Sequence, residues 1–231
     1  MNRQNFDYDQ AFSRNLGWVT EAEQIRLRNA TVAIGGMGGV GGHHLLALAR
    51  MGVGNFRIAD YDKFELVNFN RQTGATVDTI NASKCDTMAA MVRAINPTAK
   101  IEVYRNGVSE ALLDDFLKGA DIYIDGIDFF AFDIREKIYA TCSKLEVPAI
   151  IAIPLGYGGC LVMFHAGRNG FQNLLSVGKS LTPRKRITFF SRARPIFNAS
   201  LFGRPQQSAF RTRCRAININ GLLSLRRGCR N

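Results

Sequence analysis

The segment Gly35-Gly36-Met37-Gly38-Gly39-Val40-Gly41-Gly42 carries the spacing GxGxxG at Gly36, Gly38 and Gly41. Glycine lets a backbone turn tightly and approach a phosphate closely, and the free N–H groups of a following helix attract anions. Alone, the spacing is a weak signal. Here it follows a short apolar run, Thr31–Gly35, that reads as a strand, and it precedes an apolar stretch that reads as a helix. Asp60 ends the next strand, about where an acid meets a ribose.

Further charged residues follow at fixed places. The run Asp60-Tyr61-Asp62-Lys63-Phe64-Glu65-Leu66-Val67-Asn68-Phe69-Asn70-Arg71-Gln72 leaves the second strand, Lys84 opens a helix, and Asp125-Gly126-Ile127-Asp128 closes a later strand. Ligands of open sheets bind at the carboxyl ends of strands, so these segments are expected to converge on the glycines. Arg71 and Lys84 add cations suited to phosphates, and Asp128 adds an oxygen ligand suited to magnesium. An NAD-dependent oxidoreductase would share the glycines and Asp60. It needs neither two further cations nor a metal-binding acid, so the set favours a triphosphate.

The elements that must position these residues alternate regularly. Thr31–Gly35, Asn55–Asp60, Ile101–Tyr104, Asp121–Asp125 and Pro148–Ile153 read as strands, the last of them buried. His43–Met51, Lys84–Ile95, Glu110–Lys118 and Phe130–Lys144 read as helices. Lys84–Ile95 stops before Pro97; Ser109 is expected to cap the third helix and Gly119 to end it. Tyr8–Arg28 reads as helical with a break near Gly17. Such alternation predicts an α/β fold, a Rossmann-like doubly wound and mainly parallel sheet with helices on both faces.

Taken together, GxGGxG, DxDxxxxxNxNRQ, a helix-opening lysine and DxxD resemble the ThiF/MoeB adenylyltransferases, relatives of ubiquitin-activating enzymes. The resemblance spans about residues 10–164. It implies an ATP-dependent enzyme that adenylates a carboxylate, such as the C-terminal glycine of a ubiquitin-like sulfur carrier, releasing pyrophosphate. It implies that Gly36, Gly38, Gly39, Gly41, Asp60, Asp62, Asn68, Arg71, Gln72 and Lys84 hold the nucleotide, with Asp60 on the ribose and Asn68, Arg71 and Lys84 on the triphosphate. Asp128 would bind Mg²⁺. Phe12-Ser13-Arg14-Asn15 is similar to the family's N-terminal motif, whose arginine crosses a dimer interface, so Arg14 is expected to act in trans in a homodimer. Arg14, Arg71, Lys84 and Asp128 would then form the catalytic set. Many relatives carry two CxxC pairs for zinc. The cysteines here, Cys85, Cys142, Cys160, Cys214 and Cys229, form none, so no zinc site is expected. Cys142 and Cys160 read as small buried hydrophobes. Phe129 stands where many relatives have asparagine.

Charge divides the chain near Phe164. Residues 1–164 hold 16 Lys+Arg against 19 Asp+Glu, whereas residues 165–231 hold 14 Lys+Arg and no acid. The formal net charge of +11 is therefore a mildly acidic domain followed by a strongly basic tail without sustained periodicity. Two readings of the tail stay open. A genuine basic extension, with arginine and interleaved phenylalanine, would suit nucleic acid. That fits a tRNA threonylcarbamoyl-adenosine dehydratase of the same family. A truncated gene product, or a disordered tail translated in a shifted frame, would leave a nucleotide-binding remnant without catalysis. No run approaches the roughly 18 apolar residues of a membrane span, and Met1–Gln10 is polar and carries Asp7 and Asp9. A cytoplasmic protein with reduced thiols is expected.

Overall fold

A computed structural model describes residues 5–128, 131–155 and 158–165. Val32 and Ile34 of the strand Thr31–Gly35 (β1) join one apolar cluster, while Ala33 joins another. This alternation puts a hydrophobic layer on each face of the sheet. The first cluster contains Leu45 and Ala49 from Gly41–Arg50 (α3) and Met88 and Val92 from Lys84–Ile95 (α4). The second contains Phe116 and Leu117 from Leu113–Leu117 (α5) and Ile138, Tyr139 and Cys142 from Phe132–Lys144 (α6).

The remaining strands are Asn55–Ala59 (β2), Lys100–Tyr104 (β3), Ile122–Asp125 (β4), Ala149–Leu155 (β5) and Gly158–Phe164 (β6). Their order is β3-β2-β1-β4-β5-β6. The first five run parallel, and β6 returns antiparallel beside β5. The strand order reverses between β2-β1 and β1-β4, the place where doubly wound sheets open a crevice at their carboxyl ends. Register fixes what meets there, because Gly35 lies opposite both Ala59 and Asp125.

The expected architecture holds, with differences at the edges. The region expected as one helix over Glu110–Lys118 is a 3-10 turn at Glu110–Leu112 followed by α5, and the Ser109 side chain makes no capping bond. The N-terminal region divides into Tyr8–Phe12 (α1), a turn at Ser13–Asn15, and Glu21–Asn29 (α2). Gly17 has φ +105°, which ends helical geometry between them. Thr20 and Glu23 form a reciprocal capping box at the start of α2. Helix α3 begins at Gly41 rather than His43, because the last glycines of the loop are already helical. Cys160 is half-buried rather than buried, in β6, which ends the sheet among the described residues. Phe129, Phe130 and the tail beyond His165 lie outside the described residues. Among the described residues, no helix is long and apolar enough to cross a membrane.

Candidate nucleotide-binding site

The glycine loop leaves β1 and bends back at Gly36, whose φ is +82°. A Cβ on Gly36 would run into the carbonyl of Gly126, and one on Gly41 would run into the carbonyl of Gly36. The loop is thus closed on itself and pressed against the β4 end, with no room for side chains at these two points. Gly38 and Gly39 differ. A Cβ on Gly38 would meet only the Gln72 amide at 3.7 Å, and one on Gly39 would meet the Arg71 carbonyl at 3.2 Å. These two glycines face the segment that carries Arg71 and Gln72.

Asp60 ties the loop to the β2 end. Its Oδ2 accepts the Met37 N–H at 2.6 Å, and its Oδ1 accepts the Asp62 N–H at 2.8 Å. Lys84, at the first position of α4, is only 5 % exposed. Its Nζ lies 2.9 Å from Asp62 Oδ2, and its backbone N–H donates to the Asp62 carbonyl. A buried ammonium at the carboxyl edge of a sheet, held by one half-exposed carboxylate, can exchange that partner for another anion.

Residues 65–72 form a tight turn. The Asn68 side chain is buried and accepts the Glu65 N–H at 2.9 Å, while the Asn68 carbonyl accepts the N–H groups of Arg71 and Gln72. Asn68 therefore builds the turn that presents Arg71 and Gln72. Arg71 is exposed, and its guanidinium donates to the Val67 carbonyl and to Asn70 Oδ1. Gln72 is buried, and its Oε1 has no hydrogen-bond partner. A buried, unfilled amide atom beside a glycine cradle fits a site that takes a polar ligand.

The β4 end carries a feature that sequence reasoning missed. Asp125 is buried, and Arg135 of α6 pairs with it, Nε to Oδ2 at 2.6 Å. Asp125 also accepts the Tyr139 hydroxyl at 3.1 Å and the Ile127 N–H at 3.1 Å. Arg135 Nη2 donates to the carbonyls of Ile127 and Asp128, both at 3.0 Å. Burial pulls the Arg135 pKa down, but the Asp125 carboxylate outweighs it and holds the guanidinium above its ordinary value. A signal for the pair was present, because Arg135 shares the apolar face of its helix with Ile138, Tyr139 and Cys142. An arginine on such a face needs a buried acid, and Asp125 follows three apolar strand residues.

Asp128 is exposed at this loop, on the same sheet edge as Asp60 and the glycines. Arg14 is not there. Its neighbour Asn15 donates to the Met51 carbonyl, and Tyr8 to that of Gly52, so α1 and the Arg14 turn sit at the C-terminal end of α3. The glycine loop is at the other end of that ten-residue helix, about 15 Å away along its axis. Cys85 and Cys142 are poorly suited to attack. Burial, then the nearby charges of Asp60 and Asp125 respectively, push Cys85 and Cys142 up to about 12. Burial and the neighbouring His43 hold His44 below its ordinary pKa, and His43 Nδ1 contacts the Gly39 carbonyl, which ties the first turn of α3 to the loop.

A glycine cradle at the switch point of a doubly wound sheet, flanked by a buried lysine and acids from two strand ends, defines a nucleotide-binding α/β domain. The ThiF family model matches residues 12–195, past the charge boundary at Phe164, and the chain belongs to the ThiF family. It is 34 % identical over 140 residues to the tRNA threonylcarbamoyladenosine dehydratase of Bacillus subtilis, covering 60 % of this chain and 54 % of that one. It is 32 % identical over 140 residues to the sulfur carrier protein ThiS adenylyltransferase of Escherichia coli, covering 61 % and 55 %. Among solved structures, the E. coli tRNA N6-threonylcarbamoyladenosine dehydratase in complex with ATP superimposes with a TM-score of 0.59 at 28 % identity, covering 62 % of this chain and 58 % of that one. The chain spans about half the length of the curated relatives it matches.

Proposed function

We propose that this chain binds Mg-ATP at the β1–β4 crevice and adenylates a carboxylate, releasing pyrophosphate. The observation that carries the reading is Lys84, a buried cation aimed at the carboxyl edge of the sheet and held by the Asp62 carboxylate. The closed glycine loop, with its backbone N–H groups, fits the phosphates. The similarity to an adenylyltransferase and to a structure holding ATP supports the same ligand.

The carboxylate attacks the α-phosphate in line, and the protein's task is to position it and neutralise growing charge. Loop N–H groups and Lys84 hold the triphosphate, and Arg71, presented by the Asn68 turn, adds a second cation from the facing side. Asp60 accepts ribose hydroxyls while keeping Met37 in place. Among the described residues no group of three or more His, Cys, Asp or Glu could hold a metal by itself. A single carboxylate at Asp128 suits Mg²⁺, which takes most of its other ligands from phosphate oxygens and water. When bound, Mg²⁺ supplies charge neutralisation on the phosphates. Arg14, about a helix length from its own cradle, serves the site of a second copy in a homodimer.

The test is exchange of radiolabelled pyrophosphate into ATP with a candidate carboxylate present. Lys84→Ala and Asp128→Ala should each reduce exchange at least a hundredfold; unchanged exchange in both overturns the assignment. A specific observation favours one substrate class. The relatives named tRNA threonylcarbamoyladenosine dehydratases stand beside a tail with 14 Lys+Arg and no acid. On that reading a tRNA bearing threonylcarbamoyl-adenosine stimulates turnover. A ubiquitin-like carrier ending in glycine does so if the substrate is a sulfur carrier. Nucleotide binding without exchange under either condition identifies a non-catalytic module.

A further inference from the structure

We propose that Arg135 is a positioning residue that sets the Mg²⁺ requirement of the nucleotide site. The proposal rests on the reading of Asp128 as the metal's carboxylate. Arg135 is 3 % exposed, on a helix face that an aliphatic side chain would fill at lower desolvation cost. Its use there therefore calls for what only a guanidinium supplies, a planar fork of donors that can reach several acceptors at once.

Three of its acceptors lie along the strand end and turn that carry Asp128. On one side Nε grips the Asp125 carboxylate, at the last residue of β4. On the other, Nη2 grips the successive carbonyls of Ile127 and Asp128. Asp125 closes the ring by accepting the Ile127 N–H. Both the N–H and the C=O flanks of the turn are thus tied to one buried side chain. Gly126, between them, lies so close to Gly41 that a Cβ there would sit 2.7 Å from the Gly41 Cα. The same clamp therefore fixes Asp128 relative to the phosphate cradle. A residue one step behind a metal ligand commonly changes metal affinity 10–100-fold when it is altered.

Arg135→Lys keeps the charge but replaces the fork with a point donor that cannot hold both flanks. The full chain is titrated with ATP by calorimetry over a series of Mg²⁺ concentrations and in EDTA. The expected result is ATP affinity in EDTA within about twofold of wild type, and about tenfold more Mg²⁺ needed for half of the metal-dependent gain. Ile138→Ala, a core truncation of the same helix that leaves the clamp intact, should lower thermal stability and leave the Mg²⁺ midpoint unchanged. A wild-type midpoint in folded Arg135→Lys overturns the proposal, as does an equal shift in Ile138→Ala, which would mean general loosening of α6. If Arg135→Lys does not fold, the pair Asp125→Asn with Arg135→Gln removes both buried charges together and carries the same expectation. Absence of any Mg²⁺-dependent binding in wild type overturns the Mg-ATP reading itself, a different outcome from an unmoved variant.

Discussion

Lys84 Nζ lies 2.9 Å from Asp62 Oδ2, so the cation expected to meet a triphosphate is already paired before any nucleotide arrives. On the proposed reading, binding exchanges one anionic partner for another. Asp62→Asn removes the competitor and leaves a buried ammonium with a neutral acceptor. Without nucleotide, the variant should be less stable by about 1–2 kcal/mol, a fall in Tm of roughly 2–8 °C. The rise in Tm on adding ATP should exceed that of wild type, because Lys84 gives up no carboxylate. Scanning fluorimetry with and without ATP reads both quantities. An equal ATP shift in the two proteins would remove Lys84 from the phosphate site.

The glycines of the cradle should separate into two kinds. Gly41→Ala drives a Cβ into the Gly36 carbonyl, which is backbone and cannot swing aside. Its cost should reach about 3 kcal/mol or more, read as a lowered urea midpoint or loss of soluble protein. Gly38→Ala meets only the Gln72 amide at ordinary contact distance. Its stability should stay within about 0.5 kcal/mol of wild type. The added methyl stands between loop and Gln72, so ATP affinity should fall about tenfold or more by calorimetry. Wild-type ATP binding in Gly38→Ala would place the phosphates elsewhere.

Alkali should weaken the fold through its buried thiols. Cys85 and Cys142 are pushed up to about 12, chiefly by burial, whereas an unfolded thiol ionises near 8.5. A raised folded pKa means the unfolded state releases its proton first. The thiols' contribution is complete below about pH 8.5 and is lost as pH rises towards 12. Each thiol can cost up to about 1.4 kcal/mol per pH unit in that window. Thermal melts between pH 7 and pH 11 should show the decline, and it should be shallower in Cys85→Ala with Cys142→Ala. In the folded chain at pH 7.5, mass spectrometry after iodoacetamide should find both residues unmodified. Rapid alkylation of either would contradict their burial.

A stability loss centred on one buried pair is also expected. Asp125 and Arg135 form a charged pair inside the second core cluster's helix and strand, and breaking one side leaves the other uncompensated. Asp125→Ala should destabilise the chain by about 3–5 kcal/mol by chemical denaturation, more than Lys144→Ala, whose partner Asp114 is exposed. Comparable losses in the two variants would contradict the burial of the Asp125 pair.

Much of this protein is legible from its sequence because the signals are local. Strand β1 and helix α4 coincide with their expected bounds, since an apolar run ending in glycine, and helically spaced apolar residues stopped by Asn-Pro, are complete instructions within a dozen residues. The family, the glycine cradle and the candidates Asp60, Arg71, Lys84 and Asp128 were readable for the same reason: residue type and spacing carry them. Other facts depend on register and packing across the chain. The pairing of Lys84 with Asp62, the grip of Asp60 on Met37, and the placement of Arg14 at the far end of α3 arise only when strands stand side by side. In the sequence Arg135 is one cation among thirty lysines and arginines. Only the tertiary structure buries it against Asp125, because a charge's worth depends on what surrounds it and not on where it stands in the chain.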